Sequence, residues 1–383
     1  MQRRLLLGCL MILCWGIAPA QLFKSKTPEP SIEDWRNFEV EEVLRLTPHT
    51  LTVPYASDKD LESLNYKKSP FRISLNGKWR YSVSTSLSGL PNPEDKNYSV
   101  SGWAEVDVPN YCIEVNGKLA KTTPIKDAAV IPDNSTLITT FHRDFMAPKT
   151  WGSYSAFLSL QAHSAYKIWI NKQYVGYAED SRAISEFDIS KFLRVGKSNS
   201  ITIQVYSLST ASVLEMNYAR QVNGITDDVL IVLRKSAHVE DYTIVADYDN
   251  ALSAGKYAMD ISLRNPQKKG RYYVEVELWQ PNGNQLKKMG KWVVFDKTNL
   301  NTLHFERHIT NIKPWTAETP VLYTAVVRLR NEEMQLEETL GTRFGFRTID
   351  IKDGQLQVNG TPITLRGVVY GNDLVDIPAQ RKE

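Results

Sequence analysis

Two carboxylate pairs invite a chemical reading first. Glu179 stands beside Asp180, and Glu186 lies two positions before Asp188, with Arg182 between the pairs. Neighbouring carboxylates in unlike surroundings are the raw material of general acid–base chemistry. The same pattern with an arginine close enough to neutralise it also serves a structural bend, and that is the reading adopted here. His304 and His308 have the spacing of metal ligands on one face of a helix. Residues 303–309 alternate like a strand, however, where four residues span about 13 Å, so no shared metal is expected. The sequence has no Gly-rich phosphate loop, no His-Glu-x-x-His and no Gly-x-Ser-x-Gly. No cofactor is expected.

The elements that must hold the acidic pairs lie in residues 166–206. Tyr166, Ile168 and Ile170 alternate with Lys167, Trp169 and Asn171, which predicts a half-buried strand. Asn171, Lys172 and Gln173 form a tight polar turn, and residues 174–177 return as the partner of a hairpin. The bend of residues 179–185 follows. Phe187, Ile189, Phe192 and Leu193 pin it to a core, and Ile201, Ile203 and Val205 make the next apolar stripe. Trp169 faces away from the Tyr166 stripe. A tryptophan there can stack on sugar, but packing against a neighbour is the preferred reading.

The rest of the chain reads as short strands between turns. Residues 71–83 open the first unit, with Leu75-Asn76-Gly77 as a turn and Trp79, Tyr81 and Val83 on one face. Residues 141–145, 151–160 and 225–233 add strands, so an all-β sandwich is expected over residues 66–236. A second sandwich is expected over residues 237–346 from runs at 257–264, 272–279, 292–295, 303–309 and 322–330. Residues 40–46 suit a short helix that ends before Pro48. Residues 21–65 are expected to be a leader along the sandwich.

Arg3 and Arg4 precede an apolar run from Leu5 to Ile17, and Ala18-Pro19-Ala20 suits a cleavage site. This predicts a signal peptide over residues 1–20 and an exported chain, periplasmic or extracellular, because a membrane span needs about 20 apolar residues. Leu6-Leu7-Gly8-Cys9 is a faint lipoprotein site that would leave almost no apolar stretch before the cut. Removing residues 1–20 leaves 363 of the 383 residues and takes the formal charge from +3 to +1. It also removes Cys9 and Cys14, so Cys112 remains alone and no internal disulfide is expected. No basic run stands out, and nucleic acid is not an expected partner.

The run Gly176-Tyr177, Asp180-Ser181-Arg182 and Ser185-Glu186-Phe187-Asp188-Ile189 closely resembles the first domain of glycoside hydrolase family 2, the β-galactosidases and their relatives. Leu75-Asn76-Gly77-Lys78-Trp79, the Phe141-His142-Arg143-Asp144-Phe145 strand and residues 313–323, with Trp315, Glu318, Pro320, Leu322 and Tyr323, resemble further family motifs. So does Phe344-Gly345-Phe346-Arg347. The resemblance implies an all-β fold: a jelly-roll sugar-binding-type sandwich, an immunoglobulin-like sandwich, and a short stub of a (β/α)₈ barrel over residues 347–383, whose first barrel strand takes in residues 356–365 and ends at Arg366-Gly367-Val368.

In that family both catalytic glutamates come from the barrel, where a retaining pair stands about 5 to 5.5 Å apart. Residues 347–383 number 37, whereas such a barrel takes about 250. No residue here is therefore assigned a catalytic role. Accessory positions depart from the family as well. Pro124-Ile125-Lys126-Asp127-Ala128 stands where the family's Pro-Ile-Tyr-Thr-Asn supplies a sugar-contacting asparagine, so Ala128 occupies that position. Leu214-Glu215-Met216-Asn217-Tyr218 replaces Leu-Glu-Asp-Gln-Asp, which puts Tyr218 where an aspartate touches substrate and sodium. Val369-Tyr370-Gly371-Asn372-Asp373 replaces Asn-Arg-His-Glu-His. The expectation is a non-catalytic scaffold of a β-galactosidase-like hydrolase. Its alternatives are an exported carbohydrate-binding protein and one half of a split glycosidase. Expected partners are a carbohydrate, a separately encoded barrel or a second copy meeting through the stub.

Overall fold

The structure is a computed structural model that describes residues 31, 33–110, 114–115, 118–119, 131, 136–180, 182–215 and 224–367. Ala128, Tyr218, Cys112, residues 1–20 and residues 369–373, on which several expectations fall, lie outside the described residues.

In chain order the first sandwich contains β1 (Glu42–Val43), β2 (Arg72–Ser74), β3 (Gly77–Ser84), β4 (Ala104–Val108) and a small ladder of β5 (Glu114–Val115) with β6 (Lys118–Leu119). It continues with β7 (Ile138–Met146), β8 (Ser155–Leu160), β9 (Ala165–Ile170), β10 (Gln173–Glu179), β11 (Ser185–Asp188), β12 (Ser198–Tyr206) and β13 (Leu230–Arg234). One sheet runs β1-β10-β9-β12-β7-β3-β4 and faces a second, β11-β8-β13-β2, both antiparallel. Between them Tyr166, Ile168, Ile170, Ile201, Ile203, Val205, Phe141 and Phe187 form one core. The β9–β10 hairpin turns at Asn171 and Lys172, both at positive φ (50° and 67°), as a two-residue turn of this hand requires.

Three local expectations are corrected. β9 is not half-buried: Lys167 and Trp169 are 2% and 4% exposed, as hidden as the stripe between the sheets. The outer face is covered by the leader and by residues 87–94. Trp35 is fully buried and stacks on Tyr206 at 5.8 Å, within a second cluster that holds Trp169, Tyr174 and Tyr177. Trp169 is accordingly no sugar platform. Its indole donates to Glu94 Oε1 at 3.0 Å. Residues 40–46 are not a helix, because β1 pairs with the open edge of β10, and edge pairing satisfies backbone groups that a one-turn helix would leave bare. Residues 356–365 do not form one strand either.

The second sandwich contains β14 (His238–Asp249), β15 (Ala254–Arg264), β16 (Lys269–Trp279), β17 (Gln285–Asp296), β18 (Leu300–Thr310), β19 (Tyr323–Arg330) and β20 (Leu336–Phe344). Sheets β14-β15-β18 and β17-β16-β19-β20 close an immunoglobulin-like core on Tyr257, Val274, Val276, Phe305, Val327 and Phe346. β14 and β20 are strands that the apolar pattern did not announce. Beyond Arg347 the chain forms a meander of β21 (Ile349–Lys352), β22 (Gln355–Val358) and β23 (Thr361–Pro362). Asn359 and Gly360, at φ of 51° and 77°, turn the chain in the middle of the expected strand.

Candidate functional site

The two acidic pairs part company in space. Glu179, the last residue of β10, is buried at 8% exposure and accepts hydrogen bonds from the Tyr177 hydroxyl, from Thr210 Oγ1 at 2.5 Å and from the Ala211 amide at 2.8 Å. Thr210 and Ala211 open α1, a short helix over Thr210–Glu215. The β10 strand thus ends in a carboxylate that holds the start of that helix. Burial pushes Glu179 up to about 7, against the pull of its three donors. Asp180 points the other way. Its Oδ1 caps the amides of Arg182 and Ala183 at 2.8 and 2.9 Å, and its Oδ2 lies 3.3 Å from Arg45.

His163 sits in the neighbouring turn. Its imidazole is depressed to about 4, first by burial and then by the positive Arg182, so it is neutral at ordinary pH. Ser164 and Ser209 join the same layer through a 2.7 Å hydroxyl pair. Glu215, at the end of α1, adds its negative charge to the effect of burial and raises Glu179 further. The chemistry available is proton storage and hydrogen bonding.

Glu186 belongs to the boundary between the sandwiches. It takes a bidentate pair from Arg234, at 2.7 and 2.9 Å, and lies 3.0 Å from His49 Nε2. Arg234 is fully buried, donates to Thr52 O at 3.2 Å and stacks 4.7 Å from the Phe157 ring centroid. Burial opposes ionisation of Glu186, but Arg234 and His49 outweigh it and hold the carboxyl below its ordinary value. The expected neutralising role of Arg182 is therefore filled by Arg234 and His49 for Glu186, and by Arg45 for Asp180. Their distance along the chain hid them. Asp188 accepts from the Ser190 hydroxyl and amide and is a turn residue.

Next to this pair, His238 Nε2 lies 3.2 Å from Glu240, which also receives Arg264 at 2.6 Å and is held at about 2 in spite of burial. His304 and His308 lie on strand β18, with His304 Nδ1 2.7 Å from Asp260. Among the described residues no three metal-ligating side chains cluster.

Models of the sugar-binding domain of glycosyl hydrolases family 2 and of a further family 2 domain match residues 72–235 and 237–347, which together take in both sandwiches. The chain belongs to glycosyl hydrolase family 2. Similar curated relatives are β-galactosidases. That of Priestia megaterium is 28% identical over 360 residues, 90% of this chain and 35% of its own length. That of Yersinia pestis (strain Pestoides F) is 29% identical over 384 aligned positions, 91% of this chain and 34% of its own. The chain spans about a third of the length of the curated relatives it matches. Among solved structures, a β-glucuronidase of Bacteroides uniformis aligns with a TM-score of 0.65 at 18% identity, over 78% of this chain and 35% of that one. A β-galactosidase, so described with reserve, from Bacteroides fragilis aligns at 0.63 and 14%, over 76% and 43%. Those two alignments establish the shared family 2 architecture.

Proposed function

We propose that this chain is the non-catalytic scaffold region of a β-galactosidase-like family 2 glycosidase, with no hydrolytic activity of its own. The observation that supports it most directly is the use made of the buried carboxylates. Glu179 holds the start of α1, and Glu186 neutralises Arg234. Retaining hydrolysis needs an acid and a carboxylate facing each other across an open site, about 5 to 5.5 Å apart. Both matched regions fold as β sandwiches. Incubating the purified chain with nitrophenyl β-galactoside is expected to release no nitrophenol. Turnover that is abolished by a point change in this chain would refute the reading.

In this reading a barrel, of the same or of a separate polypeptide, docks on the terminal meander. Ile349, Ile351 and Leu365 are 53%, 79% and 77% exposed there, an apolar edge that favours a cover. With Trp169 buried, the carbohydrate-binding alternative loses its support on the outer face of the first sandwich. Export rests on Arg3, Arg4 and the apolar run that follows, and the start of the mature chain tests it. Among the described residues no helix is long and apolar enough to cross a membrane.

A further inference from the structure

A cavity of about 500 Å³ opens between the leader and the second sandwich, where the leader passes the outer side of β20. The Tyr55 amide donates to Thr339 O at 2.8 Å, so the leader follows β20 there and then turns away. The gap beyond that bond is lined by Thr52, Tyr55, Tyr66, Tyr242, Thr342 and Arg343 over an apolar floor. Its size suits a small organic ligand, and a seam between two units is a common place for one.

Three features narrow the ligand. Tyr55 is buried at 6% exposure with its side chain lining the gap, while Tyr66 offers a ring that is 37% exposed. The Tyr55 hydroxyl is close enough to those of Tyr66 and Tyr242 for them to raise its ionisation further, after burial. Arg343 is exposed and has no carboxylate at ion-pair distance among the described residues. Arg72, over the Tyr66 ring at 5.5 Å, adds positive character, although Asp228 holds it at 2.9 Å. Asp241 is the nearby acid. Its Oδ1 is occupied by the Thr50 and Tyr242 amides at 3.0 and 2.8 Å.

Tyrosine rings pack on the C–H faces of a sugar, their hydroxyls bond to sugar hydroxyls, and a guanidinium prefers a planar carboxylate. We propose that this cavity binds a saccharide bearing a uronate unit, with the sugar on the tyrosines and its carboxylate on Arg343. The proposal is independent of the scaffold reading, since its test reads binding and not hydrolysis.

Isothermal titration of the full chain with a glucuronate-containing disaccharide, and with lactose as the neutral arm, decides it. The acidic sugar should bind roughly tenfold or more tightly than lactose, as a charge-assisted bond warrants. Arg343→Gln should erase that difference. Tyr66→Phe, which keeps the ring, should weaken both arms, with circular dichroism unchanged in each variant. Equal affinity for the two sugars, no heat at millimolar ligand, or unchanged binding in either variant would overturn the proposal. So would an acidic peptide that binds as tightly as the uronate.

Discussion

Glu179 shows how environment, rather than residue type, sets what a carboxylate does. Two positions before it, Tyr177 is fully buried and donates to it, while Thr210 and Ala211 arrive from the far end of β12. Three donors stabilise the charge, yet burial prevails and the group sits at about 7 in the fold. An acid whose folded value is raised binds more protons folded than unfolded. Its contribution is therefore intact at pH below about 4.5 and is lost as pH climbs through about 7. The difference, 7 − 4.5, corresponds to about 3 kcal/mol by pH 8. Glu179→Gln should flatten this dependence. Urea unfolding of both proteins at pH 5 and pH 8 checks it, and parallel slopes would exclude Glu179 as the source.

At the scale of elements, β1 is two residues long and adds edge pairing to the side-chain contacts that hold the leader to the first sandwich. Its close approach depends on Gly176. A Cβ at that position would overlap the Val43 carbonyl and stand 2.9 Å from the Phe187 ring. The register of β9 and β10 shifts between Tyr174 and Gly176, so the glycine sits at an irregularity of that ladder. Gly176→Ala should cost about 1–3 kcal/mol through overpacking. It should also speed proteolysis near residues 40–47 relative to the rest of the chain. Cleavage there at the wild-type rate would show that β1 is not held by this contact.

Across the whole molecule the leader joins units that the family models treat separately. It pairs with β10, gives Thr52 O and His49 to the Arg234–Glu186 pair, and bonds to Thr339 of the second sandwich through Tyr55. A second charged layer, His238, Glu240 and Arg264, adjoins it. Buried ion pairs contribute little over a well-packed apolar replacement, but losing one partner strands the other. Glu186→Ala should therefore lower stability by about 3–5 kcal/mol. Glu186→Leu with Arg234→Met should recover most of that loss. Chemical denaturation of the single and double variants measures the difference, and a double variant no more stable than the single one would contradict it.

The amino-acid sequence by itself determined most of the strand pattern, the hairpin at Asn171-Lys172 and the family, because alternation and turn residues are local signals. The motifs around Gly176, Phe187 and Trp315 were equally legible, since each is a contiguous run. Only the tertiary structure decided which charges meet. Glu186 and Arg234 are 48 residues apart, and Arg45 and Asp180 are 135 apart. No local spacing encodes such a pairing. Burial of Lys167 and Trp169 was hidden for the same reason: a strand's alternation records one core, whereas the cover on its other face comes from elsewhere in the chain. β1 and the turn at Asn359-Gly360 likewise depend on which edges remained open for pairing once the sandwiches had formed.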